Sequence, residues 1–328
     1  MRQFLMGNEV LAKAAFEAGA KIMFGYPITP TTEVLATWVR LVEKSDRKYL
    51  QTEDEMAAGF GVCGSVLAGV PAFTATAGPG TILMQDPLSM AEAMRLPMVV
   101  FIGQRGGPST GQVIYSQQEL NLAIFGGNGE GLRLVYAPSS LQELYDLTLK
   151  AFTNAWKYRF PTFVLYDGYL GKMKGPVEIS EQQTVNSNQL FRPILTNNMR
   201  NCYNLEEEVY ELNMKNFSDW QKMADEICEY EITGKPSETI IIAYGSVAQA
   251  AKDAGVFLFR PITVWPFPEK HLKEKIKSVK KLLILESSLG QLGRLVKNLL
   301  YGLNLEIEIF AKPALGFTPE EILKIYGT

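Results

Sequence analysis

The chain has 328 residues, of which 47% are hydrophobic and 20% are charged, and its formal net charge is −3. This length can supply two domains that each bury a core, and the composition is that of an ordinary globular protein. The small negative charge excludes the basic excess of nucleic-acid-binding proteins, and no apolar run approaches the roughly 18–20 residues that span a bilayer. Because the N-terminal segment lacks a signal-peptide pattern, a cytoplasmic location is expected.

Short apolar strands alternate with predicted helices through the first half of the chain. Apolar spacing predicts a helix over 8–19. Strands are predicted at 22–26, 70–76, 98–102, 134–136 and 162–166. Ser140 and Glu143 form a capping-box pattern that begins a further helix. Strands that alternate with helices through glycine-rich loops predict an α/β fold with a doubly wound, mostly parallel sheet over residues 1–185.

The alternation stops in the middle of the chain and then resumes. Loop composition is found at 186–189 and 197–198. The pattern over 204–230 is that of an acidic amphipathic helix, so 186–235 is predicted as a linker that contains a helix. Strands are then predicted at 239–244, 282–286 and 305–310. With a last helix capped by Thr318, residues 236–328 are predicted as a second, smaller α/β domain.

The cysteines and the single histidine narrow the possible chemistry. Cys63, Cys202 and Cys228 are far apart and form no Cys-x-x-Cys pair. We therefore expect no iron–sulfur cluster, zinc site or other metal site made by this chain alone. His271 lies outside the region rich in motifs, so a Ser–His or Cys–His nucleophile is not favoured.

Glu55 is the first candidate for a functional residue. It ends an acidic run with Glu53 and Asp54, and small residues follow it directly. Acidic runs are common on solvated faces, but small residues let a helix press its backbone against a flat group. A carboxylate at the start of such a helix can face an aromatic heterocycle at a buried interface. Glu53 and Asp54 are competing assignments for this role.

Three loops that follow predicted strands supply further candidates. Gly78 and Gly80 allow a ligand to approach the backbone closely, or they form only a tight turn. Arg105 follows an apolar strand, where ligands bind in open α/β sheets, and its guanidinium suits a carboxylate; pairing with a structural acid is the alternative. Thr29 can present its hydroxyl to a substrate or satisfy a local backbone group. The glycines of 103–111 match neither a P-loop nor a dinucleotide site.

Four segments occur in order at a recognisable spacing. They are Gly25–Glu33, Gln51–Glu55, Thr74–Gly80 and Gln104–Gly111. Together they resemble the alpha subunit of 2-oxoacid:ferredoxin oxidoreductases, in the pyruvate:ferredoxin oxidoreductase superfamily. Residues 261–268 and 286–292 resemble the second domain of that family, so the resemblance covers nearly the whole chain.

The resemblance implies a fold and a role for each candidate residue. The first domain is similar to the pyrimidine-binding domain of thiamine diphosphate enzymes, and the second to the transketolase C-terminal domain. Glu55 matches the catalytic glutamate that binds the cofactor by a hydrogen bond to its aminopyrimidine ring. Thr29 and Arg105 match positions that hold the carboxylate of the 2-oxoacid. The other cofactor-binding residues that the resemblance implies are Pro27, Ile28, Gly78 and Gly80.

The resemblance also implies that this chain carries half of an active site. No Gly-Asp-Gly followed by a suitably spaced Asn is present for magnesium and diphosphate, and Tyr166–Gly168 is a weak substitute. The implied partners are a beta subunit that holds the diphosphate and Mg²⁺, a gamma subunit or domain, and a ferredoxin-like delta subunit or ferredoxin. Iron–sulfur clusters are expected in those partners. Alone, the chain is expected to be inactive.

The implied reaction is the oxidative decarboxylation of a 2-oxoacid with coenzyme A to acyl-CoA, CO2 and reduced ferredoxin. The motifs favour 2-oxoglutarate, with 2-oxoisovalerate or pyruvate as alternatives. A dicarboxylate needs a second cationic partner, which the sequence does not identify. A non-catalytic scaffold paralogue and a self-sufficient transketolase-like enzyme are the other hypotheses. Intact Glu55, Thr29 and Arg105 argue against the former, and the missing diphosphate motif argues against the latter.

Overall fold

A computed structural model describes residues 1–179 and 200–327. The loops predicted at 186–189 and 197–198 lie outside the described residues. The strands up to residue 179 are β1 (Arg2–Met6), β2 (Ile22–Gly25), β3 (Lys48–Gln51), β4 (Ala72–Thr76), β5 (Val99–Gln104), β6 (Leu134–Tyr136), β7 (Thr162–Asp167) and β8 (Lys174–Glu178). The helices of this part are α1 (Gly7–Glu17), α2 (Thr32–Val42), α3 (Glu55–Leu67), α4 (Pro79–Leu83), α5 (Gln85–Ala93), α6 (Leu120–Phe125), α7 (Leu141–Tyr158) and α8 (Gly168–Lys172).

A long helix and a second group of strands follow residue 200. The strands are β9 (Tyr230–Thr233), β10 (Thr239–Ile242), β11 (Leu258–Pro261), β12 (Thr263–Trp265), β13 (Lys281–Glu286) and β14 (Glu306–Ala311). The helices are α9 (Glu206–Ile227), α10 (Gly245–Asp253), α11 (Glu269–Lys275) with a short 3₁₀ turn (Ile276–Ser278), α12 (Gln291–Leu299) and α13 (Pro319–Tyr326).

Within the described ranges, the strands form two main sheets and one small ribbon. The larger sheet has the order β12-β6-β7-β5-β4-β2-β3, and only its β12–β6 pair is antiparallel. The smaller sheet has the order β14-β13-β10-β11-β9, with β9 antiparallel to β11. Strands β1 and β8 pair with each other. The predicted α/β class with a mostly parallel sheet and a second, smaller α/β unit is confirmed.

The buried strands have the composition that a covered parallel sheet requires. Every residue of β5 and β7 is buried, because helices pack on both faces of the sheet. The aromatic rings of Trp38 and Phe73 lie 4.9 Å apart, and those of Phe73 and Phe101 lie 5.2 Å apart, inside the core between sheet and helices. Among the helices that the structure describes, none is both long enough and apolar enough to cross a bilayer.

Two strands link the parts of the chain in ways that the sequence pattern does not predict. Strand β9 lies inside the segment predicted as a linker and pairs with β11 of the smaller sheet. Strand β12 lies beyond residue 235, yet it is added to the larger sheet beside β6. The division of the chain at residues 185 and 235 stays a prediction.

Candidate active site

Arg105 lies where three loops of the larger sheet converge. It follows β5, and its Nη1 donates a hydrogen bond of 2.7 Å to the carbonyl of Thr29, in the loop after β2. A Cβ atom on Gly78, in the loop after β4, would overlap Arg105 Nε. Because parallel strands end at the same edge of a sheet, these loops form the crevice in which open α/β folds bind ligands. Arg105 is only 5% exposed.

Glu55 is the first residue of α3 and faces the same crevice. Asp54 caps this helix by accepting a bond of 2.7 Å from the backbone N–H of Ala57, and Glu53 is exposed. Of these three acids, Glu55 is the buried one, with 5% of its surface exposed. A Cβ atom on Gly80 would overlap the Glu55 carboxylate, so Gly80 leaves the space that this side chain occupies.

The surroundings of Glu55 raise its pKa above the ordinary glutamate value. Burial is the main cause, and the nearby charge of Asp54 acts in the same direction. The backbone N–H of Glu55 and the charge of Arg105 oppose the shift. A carboxyl group with a raised pKa can share a proton with a neutral ring nitrogen, which an exposed carboxylate does less readily.

Two buried polar atoms beside these residues have no hydrogen-bond partner in the part of the chain that the structure describes. They are the hydroxyl of Thr76 and the Nε of Arg105. A Cβ on Gly80 would meet the Thr76 hydroxyl as well as Glu55, so this unpaired oxygen lies next to the Glu55 carboxylate. Most buried polar groups are hydrogen-bonded. Unpaired ones at a strand-end crevice therefore point to groups that a ligand would satisfy.

The remaining residues predicted at the site lie in the turn after β2. Pro27 is exposed, whereas Ile28 and Thr29 are half-buried. The carbonyl of Ile28 accepts bonds from the backbone N–H and the hydroxyl of Thr31, at 2.8 and 2.9 Å. The structure thus brings Thr29, Glu55, Arg105 and the two glycines together. The contact between Thr29 and Arg105 is made by the Thr29 carbonyl.

Glu119 is a site residue that the sequence interpretation missed. Its carboxylate is buried and accepts three hydrogen bonds: 2.5 Å from the Thr81 hydroxyl, 2.8 Å from Gly78 N–H and 3.0 Å from Arg105 N–H. Burial raises its pKa, while these donors and the charge of Arg105 oppose the shift. One signal was available, because Glu119 is the single charged residue between Arg105 and Glu130.

The segment that precedes Glu119 connects the site to the smaller sheet. The Gln117 side chain donates to the carbonyl of Tyr244 at 2.8 Å and accepts from Ser287 N–H at 3.0 Å. The hydroxyl of Ser116 donates to the Ser287 carbonyl at 2.9 Å. The carboxyl ends of β10 and β13 therefore face the carboxyl end of β5, and Gln117 joins the two sheets.

Asp167, in the weak diphosphate-like motif, has a structural role in this fold. It is fully buried at the end of β7 and caps α8 by accepting a bond of 3.0 Å from Leu170 N–H. Its second oxygen accepts a bond of 3.2 Å from Ser246 N–H, at the start of α10. The side chain thus also bridges the two sheets.

Comparisons with known families match most of the chain. Residues 13–237 match the family model described as Pyruvate flavodoxin/ferredoxin oxidoreductase, thiamine diP-bdg. Residues 237–314 match the model described as Pyruvate:ferredoxin oxidoreductase core domain II.

Individual relatives are similar over comparable lengths. The chain is 34% identical to 2-oxoglutarate synthase subunit KorA of Methanocaldococcus jannaschii, covering 88% of this chain and 89% of the relative. It is 33% identical to ketoisovalerate oxidoreductase subunit VorB of Methanothermobacter thermautotrophicus, covering 88% and 87%. A solved structure, 2-oxoglutarate:ferredoxin oxidoreductase from Magnetococcus marinus with 2-oxoglutarate, coenzyme A and succinyl-CoA bound, matches with a TM-score of 0.87 at 25% identity. That match covers 99% of this chain and 64% of the solved chain.

Proposed function

Since this chain belongs to the pyruvate flavodoxin/ferredoxin oxidoreductase family, as the four motifs predict, we propose that it is the alpha subunit of a 2-oxoacid:ferredoxin oxidoreductase. The proposed reaction is the oxidative decarboxylation of a 2-oxoacid with coenzyme A. We favour 2-oxoglutarate as the substrate, because relatives named for 2-oxoglutarate synthase are similar over most of the chain. The ketoisovalerate relatives are similar to nearly the same degree, which makes 2-oxoisovalerate the first alternative and pyruvate the second.

The observation that carries the proposal is the buried Glu55 carboxyl group beside an unpaired Thr76 hydroxyl. These residues fit the aminopyrimidine half of thiamine diphosphate, since a raised carboxyl pKa suits a hydrogen bond to a neutral ring nitrogen. Glu55 would make that bond, and the other proposed lining residues are Pro27, Ile28, Gly78 and Gly80. When bound, thiamine diphosphate supplies the carbon nucleophile that attacks the 2-oxo group.

Arg105 and Thr29 are the proposed substrate-binding residues. The guanidinium of an arginine carries five N–H groups, and the bond to the Thr29 carbonyl uses only one of them. Arg105 Nε has no partner among the described residues. Donors therefore remain for a carboxylate, which arginine binds well because the two groups match in geometry.

The proposed assembly divides the active site between subunits. A thiamine-diphosphate-binding beta subunit would hold the diphosphate and Mg²⁺, and iron–sulfur clusters would belong to partner subunits. The other proposed partners are a gamma subunit or domain and a ferredoxin-like delta subunit or ferredoxin. The proposed location of the assembly is the cytoplasm. Exposed apolar side chains on β3, at the start of α3 and on α4 support the proposal of a partner surface, since large apolar patches are unusual on a monomer. They are Tyr49, Leu50, Met56, Ile82 and Leu83.

The test is to co-express the chain with the product of the neighbouring gene. We would then measure 2-oxoacid-dependent reduction of a viologen dye with coenzyme A and thiamine diphosphate present. Activity should require both chains, and the preferred 2-oxoacid identifies the substrate. Glu55→Gln should lower kcat by about 100-fold or more without affecting assembly. The matched change at the exposed neighbour, Glu53→Gln, should stay within about twofold of wild type.

Full activity of the Glu55→Gln complex would disprove the role of Glu55. A stable complex with no turnover on 2-oxoglutarate, 2-oxoisovalerate or pyruvate would instead favour the hypothesis of a non-catalytic scaffold.

A further inference from the structure

Glu119 connects two loops of the candidate site through a single carboxylate. Its Oε1 accepts hydrogen bonds from the backbone N–H of Gly78, after β4, and from the backbone N–H of Arg105, after β5. The Thr81 hydroxyl, at the first turn of α4, supplies the third bond at 2.5 Å. The distance between the two loops is therefore set by the length of these bonds.

The position of the Arg105 guanidinium depends on that distance. Gly78 has φ +51°, and the absence of a Cβ lets Arg105 Nε lie directly against its Cα. From there Arg105 Nη1 reaches the Thr29 carbonyl. If the loops separated, the guanidinium would lose the surface on which it rests. The opposite charges of Glu119 and Arg105 also attract each other, as the effect of Arg105 on the Glu119 pKa indicates.

We propose that Glu119 is a positioning residue for the 2-oxoacid carboxylate, acting through Arg105. The inference rests on the proposed function, since it assumes that Arg105 binds the substrate. Both loop N–H groups donate to the same oxygen, Oε1, whereas the Thr81 hydroxyl donates to Oε2. Glutamine could therefore keep both loop bonds through its carbonyl oxygen. Methionine has a similar shape but offers neither oxygen, so both loops would lose their bonds.

A chemically matched control exists in the smaller sheet. Glu286 is likewise fully buried and accepts one hydroxyl bond, from Ser288, and two backbone bonds, from Leu292 and Gly293 at 3.0 and 2.9 Å. These bonds hold the start of α12. Within the described residues, these hydrogen bonds of the Glu286 side chain do not involve Thr29, Glu55 or Arg105.

The experiment compares Glu119→Met and Glu286→Met in the assembled enzyme. We expect Glu119→Met to raise KM for the 2-oxoacid by about tenfold or more while KM for coenzyme A stays within about twofold of wild type. Glu286→Met should lower Tm and leave both KM values unchanged. Equal KM changes in both variants, or an unchanged 2-oxoacid KM in Glu119→Met, would overturn the inference.

A double-mutant cycle distinguishes positioning from general disruption. If Glu119 acts through Arg105, then Glu119→Met should raise KM by less than about twofold in an Arg105→Lys background. Full additivity of the two changes would contradict the proposal. Thr81→Val removes one donor with little change of shape and serves if Glu119→Met does not assemble. We expect it to raise KM by about two- to fivefold, and no rise would count against Glu119. Turnover by the wild-type complex tests the proposed function separately.

Discussion

Glu55 combines burial with a charge, and this combination costs folding free energy at neutral pH. Burial raises its pKa above the ordinary value of 4.5. A carboxyl group with a raised folded-state pKa favours folding most strongly below its unfolded pKa. That contribution is lost as the pH rises through the folded-state value. The site is therefore less stable when Glu55 is ionised.

We predict that Glu55→Gln increases the free energy of unfolding of the purified chain at pH 7, because the substitution removes a buried charge. The gain should shrink as the pH falls through the raised folded-state pKa towards 4.5, because the buried wild-type carboxyl then also becomes neutral. Urea unfolding at several pH values measures the difference. A gain that grows in acid, or an equal gain from Glu53→Gln at the exposed neighbour, would contradict this reading.

Gly80 is the second residue on which the geometry of the site depends. A Cβ at this position would overlap both the Glu55 carboxylate and the Thr76 hydroxyl. Gly80→Ala should therefore displace Glu55 and lower kcat/KM of the assembled enzyme by about tenfold or more. Steady-state kinetics with the preferred 2-oxoacid provides the measurement. An active Gly80→Ala enzyme would show that this glycine does not make room for the carboxylate.

At the scale of the element, the glycines of α3 differ in what surrounds them. A Cβ on Gly59 would overlap the Pro87 ring of α5, and a Cβ on Gly61 would overlap the Phe24 ring of β2. These glycines allow the helix to lie close to the sheet and its neighbouring helix. Gly64 differs, since a Cβ there would meet nothing within 4 Å in the described chain.

We predict opposite effects for the same substitution at two positions of α3. Gly64→Ala should stabilise the purified chain by about 0.5–1 kcal/mol, because alanine favours the helix and no contact opposes it. Gly59→Ala should destabilise it by about 1–3 kcal/mol through overpacking against Pro87. Chemical denaturation of both variants provides the comparison. A loss of stability in Gly64→Ala would mean that the exposed face of α3 is not open as described.

At the scale of the whole molecule, a buried arginine joins the smaller sheet to helix α7. Arg260 of β11 is 1% exposed and donates to Glu143 of α7 at 2.7 and 2.6 Å. Glu231 of β9 lies 3.0 Å from Arg260 Nε. Burial alone would raise the pKa of Glu143. The hydrogen bonds and the positive charge of Arg260 lower this pKa, and the net shift is downward. The bond between Arg260 and Glu143 is thus one more link between the two parts of the chain, in addition to those made by Gln117 and Asp167.

We predict that Arg260→Met destabilises the chain by about 3–5 kcal/mol, because two carboxylates lose their buried cation. A lowered folded-state pKa contributes stability above the ordinary value of 4.5 and loses it as the pH falls, so the penalty should shrink in acid. Thermal or urea unfolding measures it. The control is Lys280→Met in an exposed pair with Glu238, which should change stability by less than about 1 kcal/mol. Equal effects of the two substitutions would contradict the assigned role of Arg260.

Much of the fold was predictable because its signals are local. The apolar run of β5, the Ser140 cap of α7 and the small residues of α3 each lie within one short segment, and each produced the predicted element. Strands β9 and β12 are among those that were not predicted, as are β1, β3, β8 and β11. We consider β9 and β12 because they join distant parts of the chain. Each is only three or four residues long, and each is defined by a partner strand elsewhere in the chain rather than by its own periodicity.

The sequence by itself determined the fold class, the family, the place of Glu55 at the start of a helix and the place of Arg105 at the end of a strand. It could do so because periodicity and motif spacing are properties of neighbouring residues. Only the tertiary structure decided that Glu119 belongs to the site. Its donors are 14, 38 and 41 residues away along the chain, and no local pattern relates them. A buried carboxylate acquires its partners when the sheet brings strand ends together, and that convergence is a property of the folded chain.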